Sequence, residues 1–142
     1  MRSAARDAVL GTVVQEVLGC CPSGRTCIGV DGAAGSGKST FADEIAQLLA
    51  SAGRPAIRPT TDSFHNPRTA RYRRGRSSAE GYYRDSHDIE AIRRLLLHPF
   101  LHGDAFRVAA FDEPTDSPVD VAPQLPPPSV AGSRANGRRG RL

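Results

Sequence analysis

Long apolar runs are missing from this chain of 142 residues: nowhere do 18 consecutive apolar side chains occur, so no segment reads as a membrane-spanning helix. Residues 8–18 are interrupted by Gly11, Thr12, Gln15 and Glu16, which rules out a signal-peptide core there and makes a cytoplasmic, soluble protein the expectation. Cysteine is sparse and odd in number. Cys20, Cys21 and Cys27 include an adjacent pair, form no CxxC and have no His or Cys at metal-ligand spacing nearby, so they read as reduced packing or loop thiols. Two guanine-nucleotide signatures are also absent: no aspartate has glycine three positions on, and no NKxD occurs, which argues against a GTPase. With 39% hydrophobic residues the chain can build one modest core.

What is present is a complete GxxxxGK[ST] loop, Gly32-Ala33-Ala34-Gly35-Ser36-Gly37-Lys38-Ser39. Before it, residues 26–31 read as a short buried strand; behind it, Phe41, Ile45, Leu48 and Leu49 recur at helical spacing. Strand, glycine turn and helix form the context this motif requires. Glycines let successive amides turn inward around a phosphate, and the helix adds unpaired N–H groups and the positive end of its dipole. Lys38 would reach the β and γ phosphates of ATP, and the Ser39 hydroxyl would bind Mg²⁺. The bland alternative is a Gly/Ser-rich turn that happens to hold a lysine.

The remaining pattern predicts a helix over residues 4–18, expected to pack against the sheet, and a long helix over 38–52 stopped by Gly53. A short strand over 56–60 leads into Thr61-Asp62-Ser63-Phe64. Residues 85–88 then offer helix caps ahead of Ile89, Ile92, Leu95 and Leu96, a helix closed by Pro99 and Gly103. Residues 106–111 read as a third strand or a hairpin arm. The β-α-β order implies an α/β fold with a parallel sheet and ligands at the strands' carboxyl ends, where Asp62 falls. Asp62 there is a candidate metal ligand or general base, the alternative being an Asx turn before Asn66-Pro67.

The formal charge of +4 is unevenly spread, with arginine clusters at 68–76 and 134–141. The first reads equally as a phosphate or substrate clamp and as a solvated, nucleic-acid-attracting loop; only Tyr72 interleaves it, which disfavours nucleic-acid binding. A phosphate loop, an acid and arginines are the three parts of a small-molecule kinase.

Taken in order, Ile28-Gly-Val-Asp-Gly-Ala-Ala-Gly-Ser-Gly-Lys-Ser-Thr40, Thr61-Asp-Ser-Phe-His65, Arg71-Tyr-Arg-Arg-Gly75 and Glu80-Gly-Tyr-Tyr-Arg-Asp-Ser-His-Asp88 resemble the uridine kinase and phosphoribulokinase group of P-loop kinases, over residues 24–122. The resemblance implies a three-layer P-loop NTPase with a parallel sheet, transferring the γ-phosphoryl of ATP to a nucleoside 5′-hydroxyl or similar small-molecule hydroxyl. It implies that Gly32 to Thr40 hold ATP, that Ser39 and Asp62 lie at Mg²⁺, that Lys38 and Asp62 are catalytic and that Asp85 binds ribose. Tyr72, Tyr83, His65 and His87 become possible substrate contacts, though His87 also reads as a helix-start residue and Tyr83 as a packing ring.

The departure from the family is at the C-terminus, where relatives continue beyond residues 111–112 with an apolar strand ending in an acidic residue and glycine and this chain runs into a Pro/Arg-rich tail. The expected division is therefore an N-terminal helix (1–22), a partial kinase core (23–112) and a disordered tail (113–142), incomplete at the C-terminus as in a truncated or frame-shifted product. A noncatalytic nucleotide-binding remnant of such a kinase is the alternative function; the sequence leaves acceptor and oligomeric state open.

Overall fold

The computed structural model describes residues 3–124. Helix α1 (Ala4–Cys20) starts at Ser3, whose hydroxyl accepts from the Arg6 amide at 3.2 Å, and α2 (Lys38–Ser51) starts at Gly37. Leu10 and Val14 of α1 are buried against Ile45 and Leu49 of α2, with Val13, Val17, Phe41 and Leu48 around them. An ion pair, Arg6 Nη2 to Glu44 Oε2 at 2.7 Å, ties the same two helices together. The N-terminal helix thus packs on a helix and not, as its stripe suggested, on a sheet.

The second half forms its own core. A 3-10 turn (Thr61–Phe64) delivers the fully buried Phe64 to Ala91, Ile92, Leu96 and Phe106. Short helices α3 (Arg68–Arg71) and α4 (Ala79–Asp85) precede a helical stretch made of α5 (Ile89–Ala91), a π-helical segment (Ile92–Leu97) and α6 (His98–His102). Asp88 caps α5, its carboxylate accepting from the Ala91 amide at 2.8 Å. Pro99 does not end this stretch but sits inside it. Lacking an N–H, it leaves the Leu95 carbonyl without its helical donor, and the Arg107 amide supplies one at 2.8 Å. Gly103, at φ 83°, closes α6 in the left-handed conformation.

Strands β1 (Ala109–Asp112) and β2 (Ser117–Val121) form an antiparallel hairpin, the only sheet among the described residues. The expected P-loop NTPase fold with a parallel sheet is therefore corrected. Residues 26–31 and 56–60 form no ladder; Ile28 and Val30, expected in a buried strand, are 46% and 36% exposed. A strand exists only through its neighbours, and no segment among residues 3–124 pairs with either one. The hairpin arm expected near 106–111 is present as β1. Its partner β2 contains Pro118, tolerated because a two-stranded hairpin is all edge. The hairpin crosses the expected 112/113 boundary, and residues 125–142 of the expected tail lie outside the described residues.

Candidate functional site

The phosphate-loop residues Gly32 to Thr40 fold as a turn entering α2. Gly35 and Gly37 adopt φ of 74° and 85°, where a side chain is strained, and the Ser36 amide closes the turn onto the Ala33 carbonyl at 3.2 Å. A helix leaves its first amides without intrahelical acceptors; at α2 no side chain caps them and no acid lies in the first turn. Lys38, the chain's single lysine, folds back so that its ammonium donates to the Gly32 and Ala33 carbonyls at 2.8 and 2.9 Å. One of its three protons remains for a ligand.

A cleft of about 360 Å³ opens beside this turn, lined by Arg6, Ile28, Asp31, Ser36, Lys38 and Phe41 among others. That volume lies near the lower end of the roughly 300–1,000 Å³ typical of ligand pockets. Arg6 and Asp31 are additions that sequence reasoning missed. Asp31 adjoins the motif, and its Oδ1 accepts from the Gly32 amide at 2.7 Å; Arg6 comes from a helix whose docking on α2 no local signal announced.

Asp62 lies on the 3-10 turn, outside the cleft lining, and no hydrogen bond joins it to Ser39. Its neighbours are His65 and His87, brought opposite each other by an isolated antiparallel bridge. Two backbone bonds flank that bridge: Asn66 N–H to the Ser86 carbonyl at 2.9 Å and Asp88 N–H to the Phe64 carbonyl at 2.7 Å. The imidazoles stack with centroids 4.6 Å apart, and His87 Nε2 is 3.5 Å from Asp62 Oδ1. Mg²⁺ requires an oxygen shell of near-octahedral form, so the nitrogen-rich surroundings of Asp62 do not fit it.

The remaining expected contacts are distributed around the basic segment. Asp85 is buried at 5% exposure, with its carboxylate paired to Arg73 and Arg74. The Arg73 hydrogen bond leads in holding its carboxyl below the ordinary value of 3.8, against the opposing effect of burial. The Tyr72 ring carries two guanidinium groups near it, Arg71 at 5.3 Å and Arg76 at 5.0 Å from its centroid. Tyr83 is 86% exposed. None of these side chains lines the loop cleft. Among the described residues no helix is long and apolar enough to cross a membrane. No protein-family model, curated protein or solved structure matches the chain.

Proposed function

We propose that this chain binds the phosphate groups of a nucleoside triphosphate at residues 32–40, as a nucleotide-binding protein without phosphoryl transfer. The uncapped first turn of α2, entered through left-handed Gly37 and beginning with Lys38, whose ammonium rests on the Gly32 and Ala33 carbonyls, is the observation that carries the reading. The amides at the start of α2 and Lys38 would hold the phosphates, and Ser39 would offer its hydroxyl to Mg²⁺ carried with them. Arg6 lines the same cleft, its guanidinium paired with Glu44. Titration calorimetry with ATP tests it: binding is expected for the native chain and its loss for Lys38→Met. Equal affinity in both proteins overturns the proposal.

A second reading, the ATP-dependent phosphotransferase acting on a nucleoside 5′-hydroxyl, is favoured by one observation. Asp62, 75% exposed, faces the His87 imidazole, and such a pair suits proton removal from an acceptor hydroxyl. Its test is turnover: phosphorylated uridine or cytidine from Mg-ATP, abolished by Asp62→Ala, supports transfer, while ATP binding with no product excludes it.

A further inference from the structure

The four histidines of the chain fall into two stacked pairs, and among the described residues only one pair joins a carboxylate in a group that could hold a metal ion. His98 and His102 stack at 4.1 Å one turn apart on α6, with His102 Nδ1 donating to the His98 carbonyl. His65 and His87 come from segments distant in sequence, held by the flanking backbone bonds of their bridge. One ligand atom each from Asp62, His65 and His87 lies within 4.8 Å of the others, the single such group among the described residues.

We propose that Asp62, His65 and His87 form a binding site for a divalent transition-metal ion of the zinc class. Imidazole and carboxylate together select such ions over Mg²⁺ or Ca²⁺. Distances support one ion between them: two ligand atoms each about 2.0–2.1 Å from a tetrahedral centre stand roughly 3.3 Å apart. His87 Nε2 and Asp62 Oδ1 are 3.5 Å apart, long for a hydrogen bond and close to that separation. His65 holds the tautomer for the task. Its Nδ1 lies 2.7 Å from the Asp62 carbonyl, which only accepts, so Nδ1 carries the proton and Nε2 keeps the lone pair. A backbone carbonyl on the second ring nitrogen is the usual means of aiming a metal-binding histidine. Three protein ligands leave a coordination position open, and the 75% exposed Asp62 side chain gives an ion its way in. None of the three residues lines the loop cleft, and the proposal does not rest on nucleotide binding.

Zn²⁺ alone is the probe, added to a Cys20→Ser, Cys21→Ser, Cys27→Ser chain so that the free thiols cannot compete. Equilibrium dialysis should find one Zn²⁺ per chain, undisturbed by a large excess of Mg²⁺. His65→Ala, His87→Ala and Asp62→Asn should each weaken binding by at least about 10-fold. A His98→Ala, His102→Ala double variant should bind as the parent does. On the unsubstituted chain, Zn²⁺ should shield His65 and His87, but not His98 and His102, from diethyl pyrocarbonate, which gives an answer even where an alanine variant misfolds. No bound Zn²⁺, unchanged affinity in the His65 and His87 variants, or shielding confined to α6 overturns the site.

Discussion

Arg71 Nη1 lies 2.7 Å from Glu113 Oε1, so that a guanidinium only 7% exposed pins α3 to the turn of the hairpin. Asp116 reinforces the link, its carboxylate accepting from the Arg68 amide at 2.7 Å and standing 3.6 Å from Arg71 Nη2. Burial, the largest single effect, would make the Arg71 guanidinium easier to deprotonate, but the Glu113 hydrogen bond and charge together with Tyr72 and Asp116 outweigh it, and the group is held above its ordinary value. Removing Glu113 strands a buried charge. Because Glu113 is 42% exposed, Glu113→Gln is expected to lower stability by about 1–2 kcal/mol, below the cost of breaking a fully buried pair. An unchanged urea midpoint would show that the pair contributes nothing.

Gly37 carries the turn into α2 at φ 85°, with no atom within 4 Å of where a Cβ would stand. Gly37→Ala therefore meets backbone strain without a clash, and a loss of about 1–2 kcal/mol is expected in thermal or urea unfolding. A variant as stable as the parent would mean that the loop relaxes to another conformation.

Asp85 makes stability depend on acid. Its folded carboxyl is held below the ordinary value by Arg73 and then Arg74, so its contribution is complete above the unfolded value, near pH 4. As pH falls through the lower folded value, the contribution disappears. Asp85→Asn should accordingly remove part of the drop in melting temperature between pH 5 and pH 3; identical slopes for the two proteins would refute the assignment.

Cys20 and Cys21 place their sulfurs 3.4 Å apart at the end of α1, yet their reactivities should differ. The Cys21 thiol is lowered by the hydrogen bond from Cys20, then by Thr26 and Arg54, while its neighbour is raised by the same contact. Limiting iodoacetamide at neutral pH should label Cys21 first, as read by peptide mass. Preferential labelling of Cys20 would reverse the assignment.

The parts of this molecule legible in its sequence are those decided within a few residues. The apolar stripes of α1 and α2, the Asp88 cap and the Gly103 stop all rest on local chemistry, and each lies where the pattern put it. Residues 26–31 and 56–60 have strand-like composition, but a strand is completed by a second segment, which no local pattern supplies. Pro99, expected to close the helix, sits inside it for a related reason. Its cost to the helix is offset by the Arg107 amide, eight positions on. His65 and His87 carried no joint signal, because their pairing is made by a bridge between distant segments.

Since Lys38 is the chain's only lysine, a protease that cuts solely after lysine has a single address in the protein, at the wall of the cleft. One cut would divide residues 1–38 from residues 39–142. The contact of Leu10 and Val14 with Ile45 and Leu49 crosses that division, so the two fragments remain able to recognise each other through buried apolar surface. The loop is thus a natural split point, and reassembly of the halves becomes a direct measure of how strongly α1 and α2 hold together.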